Sequence, residues 1–207
     1  MSSMQIAGVD VSRETLGRLE SFEAHLRKWT PRINLVAPNT LPQLWTRHII
    51  DSAQLFAHAP KMARHWLDLG SGGGLPGLVC AILAQQHLPE CRFTLIESDK
   101  RKSAFLMTTA HALAVPVTVL AQRVEAVAPQ SADVVSARAL APLRDLLPLV
   151  HRHLAEDGVA LLPKGRNWAE ELAAARAEWQ FVARAEPSQT DPDARLLKLK
   201  DIFHDAS

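Results

Sequence analysis

The residues best placed to do chemistry lie in one short run, Trp66-Leu67-Asp68-Leu69-Gly70-Ser71-Gly72-Gly73-Gly74-Leu75-Pro76-Gly77. Four of the nine glycines stand within residues 70–74, with a fifth at Gly77. Glycine admits positive φ and lets a ligand approach the backbone. An apolar run before the glycines and a helical pattern after them make a strand, a turn and a helix N-terminus, a cradle for a nucleotide-like ligand. Gly72-x-Gly74-x-x-Gly77 also satisfies the dinucleotide fingerprint as a string. Two residues point away from a pyrophosphate. Asp68 would repel it, while it could hold an ammonium directly or through water. Pro76 removes one N–H from the start of the helix. Glu97 ends the next apolar run, where a carboxylate can accept both hydroxyls of a ribose; it lies further along than the roughly twenty residues of a dinucleotide fold. Val124 and Glu125 follow the third strand, where a nucleobase would lie, although Glu125 also reads as a surface acid.

The string Asp68 to Gly74 resembles the first motif of Rossmann-type methyltransferases that use S-adenosylmethionine (SAM). The acceptor is then the question. Asn/Asp-Pro-Pro-aromatic, the usual motif for adenine N6, is replaced by Ser136-Ala137-Arg138-Ala139-Leu140-Ala141-Pro142. Cytosine C5 chemistry needs a cysteine nucleophile near these loops. Cys80 falls on a helix and Cys91 at a strand start, so both read as core or surface thiols. Guanine N7 already has a free lone pair and needs no base.

The elements that must position these residues follow from periodicity. Leu16, Leu19, Phe22, Leu26 and Trp29 make a helical stripe, with Ser12 as its N-cap and Pro31 as its stop. Thr40-Leu41-Pro42-Gln43 has the form of a capping box opening a second helix with Leu44, Ile49, Ala53 and Phe56 inward. Residues 1–64 therefore read as a helical N-terminal extension. Over 65–207, strands at His65–Leu69, Cys91–Ile96, Val117–Leu120, Ala132–Ser136 and Val159–Leu162 alternate with helices at Leu75–Gln86, Lys100–Leu113, Leu143–Leu154 and Trp168–Ala177. Phe181–Ala185 and Leu196–Ile202 suit a terminal antiparallel pair. The expectation is an α/β Rossmann-like fold, a mostly parallel seven-stranded sheet flanked by helices, with ligands beyond the carboxyl ends of its strands.

Composition bounds the function. The 207 residues are 47% apolar and 22% charged, ordinary for one soluble domain with perhaps a small appendage. No apolar run reaches 18 residues, the N-terminus has no secretory pattern, and two cysteines build neither a disulfide framework nor a zinc site. A cytoplasmic setting and no metal are expected. The net charge of +1 divides into +3 over residues 1–64 and −2 over residues 65–207. That excludes a protein that coats nucleic acid, and leaves room for docking on one structured RNA site. Aromatics at 5% with no tyrosine argue against a broad base-stacking platform.

The chain resembles the bacterial small-subunit ribosomal RNA guanine-N7 methyltransferase family, also called glucose-inhibited division protein B. The matching segments run in order: Asn34-Leu35, Arg47-His48-Ile49-Ile50-Asp51-Ser52, the Asp68–Gly77 loop, Glu97-Ser98, Lys100-Arg101-Lys102, Phe105-Leu106, Arg123-Val124-Glu125, Ser136-Ala137-Arg138-Ala139 and Lys164-Gly165. The Arg-His-Ile-x-Asp-Ser block and the Gly-Leu-Pro-Gly end of the loop carry most of the specificity. The departures are Ala137 for serine, Pro163 before Lys164, Lys100 for glycine, and Glu97 where many members have Asp. The resemblance implies SAM contacts from Gly70, Leu75, Val124, Glu125 and Arg138; the residue reading adds Asp68 and Gly72 in the loop and Glu97 at the end of the second strand. Arg138 and Lys164 are the expected catalytic pair, aligning cofactor and base and meeting RNA. His48, Lys100, Arg101, Lys102 and Lys164 are the expected RNA contacts, against the plainer reading of solvated surface cations. Arg47 and Asp51, four apart with His48 beside them, read plainly as a helix-surface ion pair, while the resemblance implies that this block closes over the cofactor or shapes the acceptor pocket. The implied partner is 16S ribosomal RNA or the small subunit, with no membrane, and the protein is expected to be a monomer. A SAM enzyme with another acceptor, a nicotinamide-dependent oxidoreductase and an inactive cofactor-binding regulator are the competing readings.

Overall fold

A computed structural model describes residues 4–205. The chain opens with β1 (Met4–Ile6) and β2 (Val9–Val11), an antiparallel hairpin. Ala7 and Gly8 turn it at φ 51° and 79°, the positive pair that a two-residue hairpin needs. The all-helical expectation for residues 1–64 is corrected here: strands of three residues are too short to show alternation. α1 (Arg13–Ile33) follows, and Ser12 caps it through Oγ, which accepts from Thr15 N–H at 3.1 Å. Its stripe Leu19, Phe22 and Leu26 is fully buried. Pro31 is not the stop. It forgoes one late hydrogen bond, and the helix ends where Asn34 turns left-handed at φ 49° and donates to Thr30 O.

The capping box at Thr40 does not form either. Residues Pro38–Gln43 make 3-10 turns, Trp45–Ile50 a π-helical turn, and only Asp51–Ala57 is the α-helix α2. Thr40 Oγ1 instead donates back to Ala37 O at 2.7 Å.

The rest alternates as expected: β3 (His65–Leu69), α3 (Gly77–His87), β4 (Arg92–Ile96), α4 (Lys100–Ala112), β5 (Thr118–Leu120), β6 (Ala132–Ala137), α5 (Leu143–His153), β7 (Leu154–Lys164), α6 (Trp168–Ala175), β8 (Trp179–Pro187) and β9 (Arg195–His204). The seven-stranded sheet has the order β5-β4-β3-β6-β7-β9-β8. Only β9 pairs antiparallel with its neighbours. β3 is buried along its whole length, as a central parallel strand covered by helices on both faces must be. The hairpin, α1 and α2 pack into the same apolar core as α3 and α4, through Val9, Phe22, Leu26 and Phe56 against Val79, Ile82 and Phe105. Cys80 is buried in α3 and Cys91 is half-buried before β4; both are free thiols.

Candidate active site

Strand order places the site. From β3 the chain runs outward to β4 and β5, then returns to β6 on the other side of β3 and runs outward to β7. The loops after β3 and β6 therefore leave in opposite directions, and a crevice opens beyond their carboxyl ends.

The glycine loop lines that crevice, and Asp68 holds it from below. Gly70, Gly72 and Gly74 take φ of 65°, 53° and 85°. Asp68, fully buried, accepts from Ser136 Oγ at 2.6 Å and from Gly77 N–H at 3.2 Å. Ser136 Oγ in turn accepts from Trp66 Nε1–H at 2.9 Å. A Cβ on Gly77 would lie 2.6 Å from Asp68 Oδ2 and 2.5 Å from a Leu95 methyl, so only glycine lets α3 start this close to β3 and β4. Burial raises the Asp68 carboxyl from its ordinary 3.8 to about 6, against the pull of its donors Ser136, Ser71 and Gly77 and the charge of Arg138. The expectation of Asp68 as a cofactor contact is corrected: its oxygens face strand, serine and helix start, and it braces the loop. Leu75 closes the loop with its side chain packed into the core, 5% exposed.

The loop roofs a cleft of about 300 Å³ lined by Gly70, Gly72, Glu97, Val124, Glu125 and Arg138. Six of the eight expected cofactor residues, all but Asp68 and Leu75, thus line one cleft. Glu97 accepts Gly72 N–H on Oε2 at 2.8 Å and Asp99 N–H on Oε1 at 2.7 Å. Each oxygen keeps a second lone pair for a diol. A Cβ on Gly72 would meet nothing nearer than Gly70 O at 3.8 Å, so the space above this glycine is open. The residues fit a nucleoside. They do not fit a pyrophosphate: Gly77 N–H is taken by Asp68, Leu78 N–H by Gly74 O, and Pro76 has none. Of the basic run, Lys102 lines this cleft. Arg101 turns away to donate to Arg32 O, and Lys100 is exposed.

A second cleft of about 800 Å³ meets the first at Arg138, Ala139 and Leu140. Its floor carries His48, Asp51, Arg138 and Lys164. Arg138 pairs with Asp51 at 3.1 Å, and both side chains are 18% exposed. The expected Arg47–Asp51 pair is corrected: a π-helical turn shifts the helical spacing from four towards five, and Asp51 is already committed to Arg138. Arg47 is exposed at the rim with no ion pair among the described residues. Arg138 also donates to His48 Nδ1 at 3.1 Å. Burial, then the neighbouring Arg138, lowers His48 from 6.5 to about 4. Lys164 faces the cleft, but its ammonium is held by Glu171 at 2.8 Å and by Ala141 O at 2.8 Å. Glu171 Oε2 also accepts Leu143 N–H, so this carboxylate ties β7, α5 and α6 together. Thr190 and Glu171 carried no signal in the sequence: Thr190 meets Asp51 across 139 residues, and Glu171 gathers Lys164 and Leu143 from separate elements, pairings that leave no local pattern.

A profile of the GidB family, rRNA small subunit methyltransferase G, matches residues 15–191. The ribosomal RNA small subunit methyltransferase G of Cereibacter sphaeroides is 54% identical over 196 residues, spanning 95% of this chain and 94% of that protein. Its counterpart in Rhodospirillum centenum is 54% identical, spanning 95% and 88%. Among solved structures, a ribosomal protein L11 methylase from Lactobacillus delbrueckii subsp. bulgaricus superposes with a TM-score of 0.59 at 16% identity, over 74% of this chain and 78% of that one. A SAM-dependent methyltransferase from Aquifex aeolicus gives 0.58 at 12% identity, over 76% and 93%. Those two likenesses concern the fold, which is the Rossmann-like methyltransferase fold expected from the alternating pattern. With a family match over most of its length and relatives at 54% identity, the chain belongs to the GidB family of ribosomal RNA small subunit methyltransferases G.

Proposed function

We propose that the protein transfers a methyl group from SAM to N7 of a specific guanine of 16S ribosomal RNA, acting as a cytoplasmic monomer on the RNA or the small subunit. The observation that carries this reading is the junction at Arg138–Leu140, where a nucleoside cleft opens into a larger cleft. When bound, SAM supplies a methyl on a sulfonium, an electrophile whose leaving group is a neutral thioether. The chain's task is to hold the acceptor in line with it, and positioning of this kind contributes about 7–11 kcal/mol.

The state of the second cleft favours an acceptor that needs no base. His48 Nδ1 accepts from Arg138, so its lone pair is spent, and its Nε2 lies 2.8 Å from Thr40 Oγ1. Asp51 is paired with Arg138, and Glu171 with Lys164. Guanine N7 brings its own in-plane lone pair; methylation there forms one N–C bond, leaves the C–S electron pair on sulfur and releases no proton. Arg138 aligns base and cofactor at the junction. Lys164 keeps one ammonium hydrogen beyond its two bonds, and with Arg47, Lys102 and His48 it gives the RNA a polar rim. Among the described residues no helix is long and apolar enough to cross a membrane.

The test maps methylated guanines by mass spectrometry in ribosomal RNA from cells with and without the gene. One N7-methylguanosine of 16S RNA is expected to disappear and to return on adding the purified protein with SAM. An unchanged inventory rejects the acceptor. Calorimetric binding of NAD without binding of SAM rejects the cofactor.

A further inference from the structure

Arg138 leaves the end of β6 and reaches into the N-terminal segment, where its guanidinium finds three acceptors. They are Asp51 Oδ2 at 3.1 Å, His48 Nδ1 at 3.1 Å and Arg47 O at 3.4 Å. A guanidinium only donates, so Nδ1 of His48 carries the lone pair and Nε2 the hydrogen. That hydrogen points to Thr40 Oγ1 at 2.8 Å, and Thr40 passes its own on to Ala37 O. The π-helical turn at Trp45–Ile50 brings His48 and Asp51 to bear on the same guanidinium.

Asp51 is itself held from a third part of the chain. Its Oδ1 accepts from Gln54 Nε2 at 2.9 Å and from Thr190 Oγ1 at 2.8 Å. Thr190 stands in the loop between β8 and β9, and Gln54 Oε1 fixes that loop by accepting Gln189 N–H at 3.0 Å. Segments 40–54, 138 and 188–190 thus converge on one side chain, at the stretch of wall, Arg138–Leu140, that the two clefts share.

We infer that Asp51, His48 and Thr190 are positioning residues that aim the Arg138 guanidinium at the junction of the cofactor and acceptor clefts. The inference rests on the methyltransferase reading above. Each of the three acts through Arg138: Asp51 and His48 grip its two terminal nitrogens, and Thr190 fixes the carboxylate that grips. The other account of the same bonds, a strap joining the N-terminal segment to the β8–β9 loop, would act without Arg138.

Double-mutant cycles separate the two. Methyl transfer to small subunits is measured under single turnover at saturating SAM for Asp51→Asn, His48→Ala and Thr190→Val, each alone and combined with Arg138→Ala. Alone, Asp51→Asn and His48→Ala are expected to slow transfer about 10- to 100-fold, the scale of a misplacement near 1 Å, and Thr190→Val by less, with SAM affinity retained. Combined with Arg138→Ala, each is expected to cost less than about twofold more, because its route of action is gone. Equal losses in both backgrounds, or no loss in the single variants, overturn the inference. Should Arg138→Ala fall below detection, Arg138→Lys is the second background: effects of Asp51→Asn and Thr190→Val that shrink there support action through the guanidinium, and undiminished effects overturn it. If the wild-type protein methylates no RNA, the functional reading fails; if it does and the cycles are additive, only the positioning inference fails.

Discussion

Replacing Asp68 with Asn should stabilise the protein at alkaline pH and leave it unchanged in acid. Asp68 is fully buried under the glycine loop, and its carboxyl stands at about 6 against an ordinary 3.8. A carboxyl held above its unfolded value adds stability that is complete below pH 3.8 and is lost as pH rises through 6. At about 1.4 kcal/mol per decade, the loss reaches about 3 kcal/mol by pH 8. Asparagine copies the protonated form. Its carbonyl can accept Gly77 N–H, and its amide can donate to Ser136 Oγ, which has two lone pairs and already serves Trp66. The displaced Ser136 hydroxyl hydrogen subtracts about 1 kcal/mol. The variant should therefore differ from wild type by less than about 1 kcal/mol at pH 4 and exceed it by about 2 kcal/mol at pH 8. For a chain of this size that is an advantage of about 4–8 °C in melting temperature. Paired denaturant and thermal melts at pH 4, 6 and 8 measure the difference, in which all other titrating groups cancel. A difference that does not grow with pH, or a variant less stable than wild type at pH 8, would refute the assignment of Asp68 as a buried, costly anion.

Three further outcomes are expected. His48, faced by Arg138, Asp51 and Arg47, should titrate near pH 4 as the Nε2–H tautomer; its lowered value withdraws stability as pH falls from 6.5 towards 4, and an NMR midpoint near 6.5 would contradict the Arg138 contact. Gly72→Asp should fold, since open space lies above it and aspartate tolerates its positive φ, yet lose SAM binding by placing a carboxylate beside Glu97; micromolar affinity in calorimetry would argue against the cleft. Lys164→Ala should cost about 1–2 kcal/mol in denaturant melts by freeing Glu171, spare SAM binding and slow RNA turnover; unaltered turnover would remove Lys164 from the site.

Local signals carried much of the fold. Apolar runs of parallel-strand length alternate with helical stripes, and each is specified by its own neighbours in sequence, so β3 to β9 and α3 to α6 fall within two residues of expectation except at β7, which begins at Leu154, five residues before the expected Val159. The glycine loop was legible because positive φ and close approach demand glycine whatever packs around it. Glu97, Val124 and Glu125 followed, since a strand's end fixes where the next residues stand. Local signals failed where tertiary contact overrode them. Thr40-x-x-Gln43 has the letters of a capping box, but Thr40 is engaged by Ala37 and His48 instead.

By itself the sequence determined a Rossmann-like sheet, a nucleoside cradle, a family and the set of chemical groups available. The tertiary structure decided what those groups do. Asp68 could as well have faced a ligand as a serine one strand away; its partners Ser136 and Gly77 are set by how β6 and α3 pack on β3. Arg47 and Asp51 stand four apart, yet the carboxylate belongs to Arg138, 87 residues on, and to Thr190, 139 residues on. Such pairings depend on strand order and on a π-helical turn, both settled by packing in three dimensions, and periodicity along the chain does not encode them.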